Sequence, residues 1–209
     1  MAVTSTTDKL GAFGIKEVAD VRFYRTTDVT YTKADGTTPA KIEATGEPVL
    51  EFDTLKVSNV EFTAEQTDAK GGKGNLPLLT WDYNREVNIT LEDALLSMKT
   101  LKAMFGEKGT GNSITIGGST FPGNYAIVGV TYARDQKTGD DHLFTFFVPN
   151  AKMGSEITLT MEAEGDPTVF TMNMKALRAS KDDDTIIALI ADEDNVYTPG
   201  PDIFSSVIE

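Results

Sequence analysis

Apolar and polar residues alternate along most of this chain, and this alternation constrains its fold more than any other feature. EITLTMEAEG over residues 156–165 places an apolar side chain at every second position, and FTMNMKAL over residues 170–177 does the same. Successive side chains of a β-strand point to opposite faces, so each segment is typical of a strand with one buried face. The sequence Gly-Asp-Pro at residues 165–167 favours a turn, which predicts a hairpin.

The same pattern recurs in short segments separated by turn-forming residues. Such spacing is typical of an all-β sandwich or barrel. We therefore predict a mainly β fold, either a β-sandwich or a partial barrel. The other candidate strands are VADVRFYR (18–25), DVTYTK (28–33), PVLEFDTLKVSNVEFTAE (48–65), REVNIT (85–90), NSITIGG (112–118), NYAIVGVTYARD (124–135), HLFTFFV (142–148) and DTIIALIAD (184–192).

One segment has the periodicity of a helix. LEDALLSMKTLKAMF over residues 91–105 is predicted to form an α-helix that flanks the β-domain, with Thr90 as N-cap and Asp93 three residues later in a capping box. Gly106 follows where a left-handed residue commonly ends a helix. The apolar residues that recur at the helical period predict a packing stripe made of Leu91, Leu95, Met98 and Phe105.

The composition limits the possible classes of function. The 209 residues carry 19 Lys and Arg against 32 Asp and Glu, a formal net charge of −13, which argues against tight binding to DNA or RNA. There is no cysteine, and therefore no disulfide and no thiolate metal site. The first residues do not have the pattern of a signal peptide, and no apolar run reaches the roughly 18 residues of a membrane span.

No linker-like stretch divides the chain, so a single β-rich domain is predicted over residues 15–194. An extended N-terminal arm is expected over residues 1–14 and an extended C-terminal segment over residues 195–209. Pro199 and Pro201 disfavour regular structure in the C-terminal segment, although its last residues are apolar. We expect this segment to dock on its own domain or on a neighbour.

The stretch EQTDAKGGKGN over residues 65–75 has the glycines and lysines of a phosphate-binding loop but not their spacing. The phosphate-loop pattern needs Gly-Lys followed by Ser or Thr, whereas Gly74 follows Lys73 here. A helix must also begin directly after the loop, and Pro77 disfavours one. The sequence therefore predicts a flexible connection between two strands.

Other candidate residues have simpler explanations than chemistry. His142 begins a strand after a turn, and the acidic residues 182–184 and 192–194 flank an apolar run without the spacing of a calcium loop. Trp81 could stack a base or a sugar, but it is more typical of a core or an interface, and Tyr83 would share its face in an extended strand. We therefore expect no catalytic residue, no cofactor and no metal, and the chain is not expected to be an enzyme.

The order of the segments resembles that of a known family. A strand with FTAEQTD (62–68) precedes AKGGKGN (69–75), which is followed by LLTWDYNREVNITLEDALLSM leading into the helix (78–98). DPTVFTMNMKALRASKDDDTIIALIADED (166–194) closes the pattern with another pair of strands. Over roughly residues 15–195 the chain resembles the major tail protein of tailed bacteriophages, the subunit of the tail tube.

This resemblance implies a sandwich or partial barrel with a flanking helix. Six copies form a ring in which inner strands join into a continuous barrel, and rings stack into a hollow virion tail after synthesis in the host cytoplasm. The genome passes through the tube without specific binding. The implied partners are further copies of the chain, the tape-measure protein, the tail terminator and baseplate proteins and, in a contractile tail, a sheath.

The resemblance also assigns two sets of site residues. The loop between subunits would consist of Glu65, Lys70, Gly71, Gly72, Lys73, Gly74 and Asn75. The lumen must not hold DNA, and an acidic wall repels phosphates within about a Debye length. The residues expected in that wall are Glu61, Glu65, Glu156, Glu162 and Glu164.

Two alternatives remain open at the level of sequence. The first is a capsid decoration protein or another structural protein of the virion, which would share the acidic, β-rich, cysteine-free character. The second is a carbohydrate-binding or receptor-binding module, which requires exposed aromatic side chains that converge on one surface. The candidates for such a surface are Trp81, Tyr83, Tyr125 and Tyr197.

Overall fold

The computed structural model describes residues 12–15, 20–35, 37–52, 55–71, 73–93, 97–106, 111–154, 170–191 and 197–198. These residues form strands together with the helix α1 (Met98–Phe105). The strands are β1 (Phe13–Ile15), β2 (Asp20–Arg25), β3 (Val29–Thr32), β4 (Lys41–Ala44), β5 (Leu50–Phe52), β6 (Leu55–Gly71), β7 (Leu76–Asp93), β8 (Asn124–Asp135), β9 (Asp141–Met153), β10 (Phe170–Leu177), β11 (Ala188–Ala191) and β12 (Tyr197–Thr198). The mainly β fold is confirmed.

A large antiparallel sheet dominates the described part of the chain. Its strands follow the order β5-β2-β8-β9-β10-β7-β6, while β1 pairs with β8 and β11 pairs with β9. A smaller sheet has the order β12-β4-β3, with β12 parallel to β4. The hydrogen-bonded ladders therefore join segments that are distant in sequence, such as β2 with β8.

The first hydrophobic core lies inside the curled large sheet. Phe23 and Leu50 come from the β5-β2 end of the sheet and Ile89 from β7 near the other end, yet they belong to one buried cluster. Met104 of α1 joins this cluster, and the helix lies against β5. Both ends of the sheet therefore contribute to one core, although β5 and β6 at these ends do not pair with each other.

The opposite face of the large sheet is divided into two parts. At the β2-β8-β9 end it is apolar, and Tyr24, Val128 and Phe147 form a second core with Ile42 and Val29 of the smaller sheet. The smaller sheet thus covers this part. Toward β10, β7 and β6 the same face carries polar side chains, which are described below.

The helix begins later than the sequence predicts. Thr90 and Leu91 belong to β7, and Leu91 is fully buried in the first core, so a helix over residues 91–105 with Thr90 as N-cap is wrong. Residues 88–93 pair with β6 on one side and β10 on the other. Because this double pairing satisfies their backbone hydrogen bonds, the period-two pattern of Val87, Ile89 and Leu91 prevails over the helical one.

The observed helix has its own caps. The Ser97 hydroxyl accepts a hydrogen bond from the Thr100 amide at 3.0 Å, and Gly106 ends the helix with φ 72° as predicted. Of the predicted packing stripe, Met98 and Phe105 are half-buried, and Leu95 lies outside the described residues. The side chains that α1 buries are instead Thr100, Ala103 and Met104.

Most other strand predictions agree with the structure. The segments predicted over residues 124–135 and 170–177 match β8 and β10. NSITIGG over residues 112–118 is not a strand. An alternating pattern alone does not form one, because the backbone of a strand also needs a neighbouring strand to complete its hydrogen bonds. Residues 156–165, most of the N-terminal arm and all of the C-terminal segment except β12 lie outside the described residues.

Candidate functional site

A long hairpin of β6 and β7 extends beyond the body of the domain. The two strands pair from Leu55–Asp93 at the base to Gly71–Leu76 at the far end. Every residue of β7 from Leu76 to Arg85 is exposed, whereas below them Val87 is buried. We call residues 61–71 and 73–85 the exposed hairpin.

The predicted flexible connection over residues 65–75 is largely paired backbone. Residues 65–71, including Lys70 and Gly71, belong to β6, so a loop there is wrong. The turn contains Lys73, Gly74 and Asn75, and Gly72 lies outside the described residues. Gly74 at φ 94° and Asn75 at φ 51° supply the left-handed backbone that a tight hairpin turn requires.

The exposed hairpin has one apolar and one polar face, because directly paired residues lie on the same face of an antiparallel ribbon. Thr67 opposes Trp81, Ala69 opposes Leu79 and Glu65 opposes Tyr83. We call Leu79, Trp81 and Tyr83 the apolar face; their exposed fractions are 60%, 52% and 44%.

Hydrogen-bonded polar side chains occupy the middle of the other face of the exposed hairpin, between Phe62 at its base and the exposed Leu76 and Leu78 near the turn. The Gln66 Nε2 donates to Asp82 Oδ1 at 2.8 Å, and Thr80 Oγ1 donates to Asp68 Oδ1 at 2.7 Å. These cross-strand bonds fix the register of β6 against β7 and provide hydrogen-bond partners for the polar side chains of this face. The side chains of the apolar face, in contrast, remain exposed to water in a single copy.

A bulge in β7 separates the exposed hairpin from the body. Thr63 pairs with Glu86 but Glu65 pairs with Tyr83, so β7 contains one extra residue at this point. Asn84 there adopts φ 50°, which asparagine tolerates better than most residues, and its Nδ2 donates to Glu65 Oε2 at 3.2 Å. The extra residue reverses the faces of β7, so its apolar side chains beyond the bulge point away from the first core.

A groove lies on the core side of the hairpin at its base. It has a volume of ≈ 400 Å³ and is lined by Phe62, Ala64, Val87, Ile186 and Ile187 together with Arg85 and Asp184. We call it the base groove. Phe62 is half exposed in it, at 51%. Arg85 forms no ion pair with any residue that the structure describes.

The polar part of the large sheet lies on the side opposite the first core. Thr90 Oγ1 donates to Asn173 Oδ1 at 3.1 Å, and Lys175 forms an ion pair with Glu86 at 2.5 Å. Glu61 is exposed on this side, where it pairs with Asn88 across the ladder. This polar side is therefore a mixture of amides, hydroxyls, carboxylates and lysines.

The structure brings together only part of the acidic wall expected from the sequence. Glu61 and Glu65 lie on the same side of β6, but Glu65 is on the exposed hairpin next to Tyr83. Glu156, Glu162 and Glu164 lie outside the described residues. The wall as a whole stays a prediction.

The aromatic candidates for a carbohydrate site do not converge. Trp81 and Tyr83 share the apolar face, but Tyr125 packs on Phe23 with ring centroids 6.0 Å apart, and burial raises the pKa of its hydroxyl. The hydroxyl of Tyr197 contacts that of Tyr24 at the second core. Among the residues described, no three His, Asp or Glu side chains are grouped to hold a metal, and no helix is long and apolar enough to cross a membrane.

Two carboxylates outside the hairpin are strongly stabilised in their charged form. Hydrogen bonds from Thr185 and Lys33 lower the pKa of Asp183 to about 2, and the Lys33–Asp183 ion pair of 3.0 Å joins two distant parts of the chain. Hydrogen bonds from Thr37 and Thr38 lower the pKa of Asp35 to about 2. Both carboxylates accept hydrogen bonds that organise local turns, and these bonds explain their low pKa values without a functional role.

The sequence does not show that Leu79, Trp81 and Tyr83 form an exposed face away from the core. Leu79, Trp81 and Tyr83 have the same odd numbering as Val87 and Ile89, so the alternation assigns all five to one face. Only Asn84, a residue that tolerates a left-handed backbone, hints at the bulge.

Comparison with known proteins adds one match. A family model described as the YomU/Tube protein family matches residues 13–108 and 99–190, which together cover most of the chain. The exposed hairpin, the base groove and α1 all lie within the matched range. No curated protein shows significant similarity to the chain.

Proposed function

The chain belongs to the YomU/Tube protein family, and we propose that it is the major subunit of a bacteriophage tail tube. In this proposal it has no enzymatic role. Copies assemble into hexameric rings, and the rings stack into a conduit for the genome. The partners are further copies, the tape-measure protein, the terminator and baseplate proteins at the tube ends and, in a contractile tail, a sheath.

The apolar face of the exposed hairpin is the observation that carries this proposal. Leu79, Trp81 and Tyr83 are adjacent on one ribbon and point away from the first core. Contiguous exposed apolar surface of this kind is typical of a protein interface. A subunit whose apolar surface is left open by its own fold is suited to polymerise.

The edges of the large sheet support the same conclusion. β6 is the last strand at one end of the sheet and runs for 17 residues. A long edge strand presents unpaired backbone groups that can pair with another chain. Closing six copies into a ring would provide each such edge with a neighbour and remove the aggregation hazard.

The polar side of the large sheet fits the lining of a DNA conduit. Its amide and hydroxyl groups, such as Asn88, Thr90 and Asn173, lack the positive charge that holds phosphates. Two lysines lie opposite each other on this side, and of these Lys175 is paired with Glu86 while Lys152 is exposed. The net charge of −13 further disfavours retention of DNA.

Negative-stain electron microscopy of the purified protein at rising concentration tests the proposal. We expect hollow tubes or stacked rings with sixfold end views. Sedimentation should show a matching loss of monomer. A protein that remains monomeric at every concentration would contradict self-assembly.

A further inference from the structure

Two surfaces of the exposed hairpin are complementary in kind. The apolar face offers two aromatic side chains and a leucine on a projecting ribbon, and the base groove offers an open apolar depression of ≈ 400 Å³. A depression of this size can receive a large aromatic side chain, and Trp and Tyr are the residues most often found at the centre of protein interfaces.

These two surfaces cannot meet within one copy. Phe62 and Val87 oppose each other on the core side of the ribbon, whereas the bulge at Asn84 places Trp81 on the opposite side. The groove is at the base of the hairpin and the apolar face is beyond the bulge. A second copy is therefore needed to bring them into contact.

One charged pair across the two surfaces is also complementary. The base groove is lined by Arg85 and by Asp184, and Arg85 has no ion pair among the described residues. Glu65 lies beside Tyr83 on the apolar face, where its carboxylate accepts only a hydrogen bond from Asn84 among the bonds described. In a chain of net charge −13, an arginine without an ion pair in the described part of the chain is a favourable place for a neighbour's carboxylate.

We propose that the apolar face of one copy docks into the base groove of the next, with Trp81 as the central anchor. The contact uses two different patches, so a docked pair still has one free hairpin, on one copy, and one free groove, on the other. Such a head-to-tail contact propagates into a ring or a filament, whereas only a reciprocal exchange of hairpins between two copies would stop at a dimer. This inference rests on the proposed self-assembly and names the surfaces that perform it.

The absence of cysteine from the chain allows a direct test by cross-linking. Thr67→Cys and Ala64→Cys are made as separate proteins, since both positions are exposed and Thr67 pairs with Trp81 on the apolar face, so that the anchor itself is kept. The two proteins are mixed and treated with a short bismaleimide. A product of twice the monomer mass can then form only between copies.

Thr67→Cys mixed with Tyr132→Cys is the matched control, because Tyr132 is also exposed, at 47%, but lies on β8, three strands from β7. We expect the Thr67→Cys and Ala64→Cys pair to cross-link at least about tenfold faster than the control, since docking raises the effective concentration of the two thiols. Equal rates would overturn the docking.

Electron microscopy of the same mixtures separates this inference from the proposed function. Tubes without the selective cross-link would overturn the docking of the hairpin in the groove and leave the tube intact. A selective cross-link without tubes would support the docking and count against the tube. A monomeric protein without the cross-link would overturn both.

Discussion

Trp81 and Val87 lie six positions apart on β7, an even spacing, yet their side chains lie on opposite faces of the ribbon. The partner of Trp81 is Thr67 and that of Val87 is Phe62, and these β6 residues have opposite parity. The extra residue at Asn84 accounts for the difference. One bulge thus decides whether the apolar side chains of the hairpin contact their own core or an outside partner.

Deleting Asn84 should return Leu79, Trp81 and Tyr83 to the face of Val87. We expect the deletion variant to lose self-assembly while its body unfolds at nearly the same temperature, because residues 76–85 are exposed in the single chain. Sedimentation and thermal unfolding measure the two effects. Asn84→Gly is the control, since glycine keeps the residue count and accepts φ 50°. Normal assembly of the deletion variant would contradict this role of the bulge.

Trp81→Ala should weaken assembly while leaving the stability of the monomer nearly unchanged. Because Trp81 is half exposed, the free energy of unfolding of the monomer should change by no more than about 0.5 kcal/mol. Met172→Ala, at a buried position of the first core, should lower it by about 2–5 kcal/mol. Urea denaturation below the assembly concentration measures both values. A large loss of stability in Trp81→Ala would show that the indole is covered within the monomer.

Two glycines should resist substitution for steric reasons. A Cβ at Gly129 would lie 2.0 Å from the Phe146 ring in the first core, and a Cβ at Gly106 would lie 2.0 Å from the Phe121 carbonyl oxygen at φ 72°. We expect Gly129→Ala to cost about 1–3 kcal/mol and Gly106→Ala at least as much, because backbone cannot move aside as a ring can. Gly14→Ala has open space and should leave the melting temperature unchanged.

Acid should weaken the fold through Asp183. Its folded pKa of about 2 is below the value of about 4 for an unfolded aspartate, so its contribution to stability is complete above pH 4 and is lost as the pH falls through 2. Asp183→Asn should therefore flatten the dependence of the melting temperature on pH between about 4 and 2. Asp182→Asn, one residue away, is the control. Identical acid profiles for the two variants would contradict a stabilising role for the hydrogen bonds that Asp183 accepts from Thr185 and Lys33.

The sequence predicts strands best where burial and pairing agree. β10 alternates without interruption, β8 contains a continuous buried run at residues 126–129, and both strands have neighbours on both sides, so their bounds follow from the sequence. The segment after Thr90 carries a helical and a period-two pattern at once, and the choice depends on β6 and β10, which are distant in sequence. Local pattern cannot decide between them.

The candidate site was less accessible to prediction than the fold. Glycines and lysines near residue 72 suggested a loop, but backbone pairing extends the hairpin almost to that point. The faces of the hairpin depend on a single left-handed residue, Asn84, and the alternating pattern of the sequence does not reveal it. Glu65 could be placed on a strand from the sequence, but its position beside Tyr83 follows only from the register.

The exposed hairpin is a ribbon of two strands, whereas the body is a sheet of many strands packed around a core. A two-stranded ribbon twists and bends more easily than a closed sheet. If copies are joined through such ribbons, deformation concentrates in the joints and leaves the rings rigid. The bore would then keep its diameter while the tail curves, so the mechanical compliance of the whole tube would be set by residues 61–85.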